Sequence, residues 1–462
     1  MIRLLLFFII GIQSSLASIG NSVGFGSRMT ALGGSHASGG ADGFAAYANP
    51  ALLSQEKKNK WKLSYGWIYL YPLFKDISSV VTENGYASDK NTPVSSDVDT
   101  HYSPTFGQVI GLVGSPLPHL RNLSFGLTLY APWTQILSID SGETYLPEYV
   151  LDRASTQRPE VYFAVSLKIL RGFHFGAGAY LGYGLTSKAT VFLNDTTGEP
   201  SSMRFSSSAV PKLSPYAGIL FESSQRKDQW GKWNLGAVFR APLSSNSKID
   251  LSSTAKVAGG PLGLDFQFQA QSALYYDPMK IEVGGNFYLS EVLQVFLQVE
   301  YQFWSQFESP TLNLTDTAIS DCQAGGCPFE FSGSILPSLP VRNIWVPKVG
   351  WEWRTTDHWT LRAGYSYRPS IFKSLPLEAG NFLDPDRHNG LIGAGWKSKG
   401  FLGYALPWSL DFHLSAQALV TQTIVKTEGN ESGDLSDQKI GAPGFQAGGW
   451  ILGGGVSLSL EF

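Results

Sequence analysis

The strongest constraint on this chain is a two-residue hydrophobic period that returns in blocks of roughly ten residues. The first block shows it best. Trp61, Leu63, Tyr65, Trp67, Tyr69 and Tyr71 share one face, and Lys62, Ser64 and Gly66 the other. Side chains of a strand point alternately to opposite faces, so each block reads as a strand with one apolar side. A soluble sandwich would also alternate, with its apolar face turned into a core. Two further regularities favour a membrane barrel. Trp and Tyr gather at the block ends, as girdles at two membrane interfaces require. The connections also alternate in length. Short turns at 116–122, 170–172, 224–231, 290–292, 355–358 and 399–407 are interleaved with long polar segments at 74–103, 134–157, 187–210, 243–278, 306–343, 370–387 and 423–448. Short turns on one side of a membrane and long loops on the other are the outer-membrane arrangement, and a sandwich has no reason to adopt it.

After the block at Trp61, further strands are expected at about 104–115, 122–133, 158–169, 173–186, 211–222, 232–242, 279–290, 293–305, 344–354, 359–369, 388–398, 408–422 and 449–462, which makes 14. An even number closes a single-chain barrel with both chain ends on the periplasmic side. The last block reads GGWILGGGVSLSLEF and ends on Phe462, a terminal aromatic of the kind the barrel-assembly machinery reads. The expected fold is an all-β membrane protein, a 14-stranded antiparallel transmembrane barrel. A monomer is expected.

The remaining features fit an exported chain. Arg3 precedes an apolar run from Leu4 to Ile12, and Ser15-Leu16-Ala17 has the small-x-small form of a cleavage site, so residues 1–17 read as a removable signal peptide. No later stretch of 18 or more apolar residues supplies a spanning helix. A net charge of −3 gives no basic field for nucleic acid. Cys322 and Cys327 form a C-x4-C pair with no second pair or His cluster beside it, so a loop disulfide is preferred to half a metal site. Neither a metal nor a cofactor is expected. Only seven His occur and none lies in a G-x-S-x-G setting, so no enzyme is expected.

Residues 18–58 do not alternate and are rich in Gly, Ala and Ser, a composition suited to a compact hatch within the lumen of the barrel spanning 59–462. The stretch ADGFAAYANPALL reads as a short helix stopping at Asn49, ahead of Pro50. The succession Leu32-Gly33-Gly34, Ala41-Asp42 and Asn49-Pro50-Ala51 resembles the N-terminal hatch of the FadL family of outer-membrane fatty-acid and hydrocarbon transporters (OMPP1/FadL/TodX). FGLTLYAPWTQ at 125–135, GKWNLGAVFRAPLS at 231–244, HWTLRAGYSYRPS at 358–370 and FLDPDRHNGLIGAGW at 382–396 are similar to pieces of that family's barrel, in the same order. Many members have paired acids at 41–43, where this chain reads Ala-Asp-Gly.

The resemblance implies a channel in the outer membrane of a Gram-negative cell, embedded in its lipids, that carries hydrophobic small molecules, long-chain fatty acids first among them. Ligand would be caught by extracellular loops, the hatch would shift, and the ligand would leave sideways at a kinked third strand. Ala131-Pro132 is the candidate for that kink, since Pro lacks the N–H of a ladder bond; the other reading is that Pro132 ends the strand. Alternation turns Arg240, Arg362 and Arg368 into the lumen, where each would hold a ligand headgroup or, more commonly, a lumenal acid. Arg387 is expected to pair with Asp384 or Asp386, and 261–268 is a candidate outer capture groove or a hairpin above the membrane. Two other functions fit the pattern less well: a barrel that docks secreted proteins, and a general porin.

Overall fold

A computed structural model describes residues 24–55, 60–83, 94–115, 122–133, 146–153, 158–193, 200–223, 231–256, 263–307, 313–320, 341–373, 382–400, 406–426 and 441–462. The expected signal peptide, Cys322 and Cys327 lie outside the described residues.

Fourteen strands form the wall: β1 Trp61–Phe74, β2 Thr105–Gly114, β3 Leu123–Pro132, β4 Glu160–Leu170, β5 Phe173–Leu193, β6 Pro200–Glu222 and β7 Trp233–Arg240, then β8 Met279–Tyr288, β9 Leu293–Phe303, β10 Ile344–Arg354, β11 Trp359–Arg368, β12 Arg387–Ser398, β13 Trp408–Val425 and β14 Gly444–Glu461. Each pairs antiparallel with its sequence neighbours. β1 also pairs with β14 from Lys62↔Glu461 to Phe74↔Gly449, which closes the cylinder and leaves no wall edge unpaired in lipid. Trp61 and Phe462 exchange backbone hydrogen bonds of 2.8 and 2.9 Å, so the first and last wall residues meet at the short-turn end.

The apolar face points outward. Trp67, Val283, Leu297, Ile392 and Leu414 are exposed, while their neighbours Ser64, Glu282, Gln298, Arg362 and His413 are buried in the lumen. A basic side chain at mid-height on the lipid face would cost about 2–4 kcal/mol, and this fixes the inward direction of the wall's charges. Trp359 and Trp396 meet edge to face at 5.1 Å near the short-turn end, part of one aromatic girdle.

The structure departs from the alternation pattern above the membrane. β5 and β6 run on through much of 187–210, and Leu243–Lys256 pairs with Gly263–Asp277, which in turn pairs with Asn313–Ser320. The candidate capture groove at 261–268 thus falls partly on a hairpin strand and partly outside the described residues. Ile77–Glu83 and Val94–Val98 form another hairpin. These segments read as loops because they are polar and, apart from 261–268, carry no sustained two-residue apolar period.

Candidate functional site

Residues 24–55 lie inside the barrel as a hatch. Helix α1 (Ser27–Ala31) ends at Leu32, and the chain turns through Gly33 and Gly34, whose φ values are +72° and +75°. A Cβ on Gly33 would stand 2.8 Å from Val349 O and 2.9 Å from Tyr365 O, so only glycine fits between α1 and the wall. A 3-10 turn (Asp42–Phe44) leads into helix α2 (Ala45–Ala48). α2 stops at Asn49, which is extended ahead of Pro50, and a second 3-10 turn (Pro50–Gln55) follows. Asn49 is fully buried and ties three strands of chain together. Its Nδ2 donates to Ala37 O (2.6 Å) and to Ile219 O on β6 (3.1 Å), and its Oδ1 accepts from Ala51 N (2.9 Å). The Asn-Pro-Ala run is therefore a fastening between hatch and wall.

One half of the lumen, β7 to β13, holds the hatch with charge. Arg28 of α1 donates to both carboxylate oxygens of Glu352 on β10 (2.8 Å each) and to Asp42 (2.9 Å). Burial alone would raise the Asp42 carboxyl, but Arg28, with Lys62 behind it, holds it below the usual carboxylate range. Arg362 completes the chain, donating to Glu352 and Asp411 at 2.7 Å each. Nearby, His36 Nε2 lies 2.9 Å from Glu282 on β8, and Gln298 Oε1 accepts from the amides of His36 and Ala37. Arg240 at the end of β7 donates to Glu282 (2.8 Å) and to the carbonyls of Tyr47 and Ala48, the last of α2. A cation at a helix C-terminus is favourable on its own account. Glu300 sits between Lys280 and Lys348.

The other half, β1 to β6 with β14, holds most of the lumen's buried apolar side chains, set among polar ones such as Ser64, Thr128, Glu160 and His174. One contiguous cluster runs from Ile77, Val80 and Phe74 at the long-loop end, through Ile68, Val109, Tyr130 and Tyr162, to Leu53 and Val113 at the short-turn end. The hatch contributes Phe25, Phe44, Tyr47, Leu52 and Leu53 to it. Phe25 stacks on Tyr130 at 5.5 Å, and Tyr47 meets Tyr162 edge to face at 5.1 Å. A small space of about 20 Å³ beside these tyrosines is bordered by Tyr162, Tyr180, Tyr216, Arg240, Asp277 and Lys280, room for no more than a water. At the bottom, Ser54 bonds His174 Nδ1 (2.6 Å), while His174 Nε2 and Gln55 both reach Glu222, fixing the hatch exit to β5 and β6.

The residues singled out in the sequence fall into three places. Gly33, Gly34, Asp42, Asn49, Pro50 and Ala51 are in the hatch, with Arg240 and Arg362 on the wall that faces it. Arg368 stands apart at the long-loop end, bonded to Asp384 (2.9 and 3.0 Å), and Arg387 meets Asp384 and Asp152. Ala131 and Pro132 end β3, paired with Gln108 and Gly107 of β2 without a register shift. The β3–β4 ladder stops lower, at Tyr130↔Glu160. Amides of alternate residues face opposite neighbours, and Trp133 N bonds Phe106 O of β2. Position 132 therefore faces β4, and the missing N–H of Pro132 lies where that ladder has ended.

Sequence reasoning passed over Arg28, His36, Glu282 and Glu352. It also passed over wall glycines whose missing Cβ is filled by hatch backbone: at Gly236 it would stand 1.9 Å from Ala37 O, and at Gly364 2.1 Å from Gly33 N. The inward parity of Glu282 and Glu352 was readable, since each is flanked by outward apolar residues.

Known proteins place this arrangement. A sequence profile described as outer membrane protein transport protein (OMPP1/FadL/TodX) matches residues 21–399. No curated protein matches. Among solved structures, a Pseudomonas aeruginosa FadL homologue superposes with a TM-score of 0.54 at 17% identity, covering 98% of each chain. The toluene transporter TodX of P. putida gives 0.56 at 14% identity, covering 95% of this chain and 99% of its own. At these identities the likeness is one of fold. Matched over most of its length, closed as a 14-stranded barrel and plugged by its own N-terminal segment, the chain belongs to the OMPP1/FadL/TodX family of outer-membrane transport proteins, channels for hydrophobic compounds rather than enzymes.

Proposed function

We propose that the compounds carried are long-chain fatty acids, moved down the apolar half of the lumen and released sideways between β3 and β4. The apolar cluster that is contiguous from Ile77 to Leu53 carries this reading, because an extended chain could stay among apolar groups along it. Each CH₂ kept from water along it is worth roughly 0.8 kcal/mol. Passage requires the hatch to give way. Phe25 leaving Tyr130 would unblock the seam above Tyr130↔Glu160, the last β3–β4 ladder pair among the described residues, where Pro132 offers no donor. A chain leaving there passes from protein to lipid without crossing water. A general porin would need an open aqueous bore, and here the hatch occupies it.

One observation favours a second ligand class. Tyr130, Tyr162, Tyr180 and Tyr216 of the wall gather with Phe25 and Tyr47 of the hatch, and Tyr162 and Tyr180 stack at 4.5 Å. A monoaromatic ring would pack among them edge to face or offset. TodX is a toluene transporter and resembles this chain in fold. Competition separates the two: purified protein is loaded with a fluorescent long-chain fatty acid and challenged with palmitate or toluene. Displacement by palmitate well below the toluene concentration supports fatty acids. The reverse order assigns the site to aromatic hydrocarbons.

A further inference from the structure

The connection between β3 and β4 comes back over the mouth of the barrel at 146–153. Leu383 N donates to Glu148 O (2.7 Å), and Glu148 and Phe382 form an isolated parallel bridge. Tyr149 is fully buried. Its ring stacks on Phe74 at 4.2 Å, its hydroxyl donates to Gly448 O (2.8 Å), and Gly448 N donates back (2.7 Å). Two residues on, Leu151 packs against a second apolar cluster of Trp304, Ile344, Ile371, Phe372 and Phe382. The short helix Val150–Arg153 then places Asp152 against Arg387: Nη1 donates to Oδ1 (3.0 Å) and Nη2 to Oδ2 (2.7 Å). Arg387 is itself largely buried and held from behind by Asp384. Tyr149 thus caps the top of the apolar column that the transport reading uses, and the bidentate Asp152–Arg387 pair is the one ionic bond among the described contacts that hold it there.

This short piece of chain has the chemistry of an amphipathic acid: apolar groups seated in greasy pockets, and the Asp152 carboxylate on a buried arginine, with a second carboxylate, Glu148, buried beside Tyr149. We propose that 146–153 is a built-in stand-in for ligand, and that a long-chain carboxylate opens the mouth by taking Arg387 from Asp152. The proposal rests on the transport reading and narrows it to acids. A fork-shaped guanidinium donates to either carboxylate in the same two-bond geometry, so Arg387 stays paired through the exchange while Asp152 leaves with its segment. Asp152 is tethered and competes at a high effective concentration, so an acid must add the burial of its chain in the column to displace it. A neutral ester or hydrocarbon would break the pair with nothing to offer Arg387 in return.

The test is equilibrium binding of palmitate and of methyl palmitate to the purified full-length barrel, with heat-modifiable gel migration as the check on folding. Wild type is expected to prefer the acid by about tenfold or more, the scale of one charge-assisted pair. Asp152→Asn is expected to tighten palmitate several-fold and keep the preference. Arg387→Gln is expected to abolish the preference while the ester still binds. If Arg387→Gln keeps its preference for the acid, or Asp152→Asn leaves palmitate binding unchanged, the proposal is overturned; should Arg387→Gln not fold, the Asp152→Asn result alone decides. Wild type that binds ester and acid equally refutes the mouth exchange and leaves transport standing. Wild type that binds neither palmitate, ester nor toluene sinks both.

Discussion

The two halves of the lumen hold the same hatch by different physics. On the β7–β13 side, Arg28, Glu352, Arg362 and Asp411 form a run of ion pairs, and Arg240 and Glu282 grip α2 and His36. Each bond there has one good geometry, and a displaced partner leaves a charge unpaired in a place poor in water. On the β1–β6 side, Leu52, Leu53, Phe25 and Phe44 lie against apolar wall residues. Such contacts are non-directional and can be traded for others of similar shape. A hatch built this way is fixed in register by one wall and free to exchange its partners on the other for a greasy ligand. On the transport route proposed above, the charged side positions and the apolar side conducts.

The sharpest way to break this contrast is to strip the charged side. Glu352→Ala leaves Arg28 and Arg362 without their shared carboxylate and is expected to destabilise hatch docking by about 3–5 kcal/mol. Hydrogen exchange should rise across 24–55 with the wall strands unchanged. Leu53→Ala removes a fully buried side chain from the apolar wall and is expected to cost about 2–4 kcal/mol. Its fingerprint should differ, with exchange rising near 45–55 only and fluorescent fatty acid binding weakening. Asn49→Ala cuts the fastening of the hatch to itself and to β6 and is expected to cost about 2 kcal/mol through its lost hydrogen bonds.

The mildest probe is acid. The Asp42 carboxyl is held below its ordinary value of 3.8 in the folded chain, so its contribution is fully present above that value and is lost as pH falls through the lowered one. Exchange at 24–45 should be flat from neutral pH to about 4.5 and rise only below about 4.

How much of this the sequence carried follows from the same contrast. The wall was legible because lipid polices it. β10 was expected at 344–354 and is Ile344–Arg354; β9 was expected from 293 and begins at Leu293. Every second residue there must be apolar, so phase and length are written in the chain. The stop of α2 at Asn49 was legible for a local reason, the proline after it. Residues 187–210 and 243–278 were read as loops because they are polar and, apart from 261–268, carry no sustained two-residue apolar period. The hatch contacts were hidden for a third reason. Arg28 and Glu352 are 324 positions apart and meet only once the cylinder has closed. The sequence shows that Arg362 faces inward, but which acid it meets depends on the register of β10 against β11 and on where α1 comes to rest.

The most direct test of the division between walls is photochemical. A fatty acid with a diazirine at its chain end, cross-linked while bound to the barrel in outer-membrane vesicles, reports where the chain travels. Mass spectrometry should find label on Ile68, Val109, Tyr130, Tyr162 or the hatch residues facing them, and little on the lumenal positions of β8 to β11. Label concentrated at Gln298, Glu300, Glu352 or Arg362, with none on the tyrosine side, would contradict it.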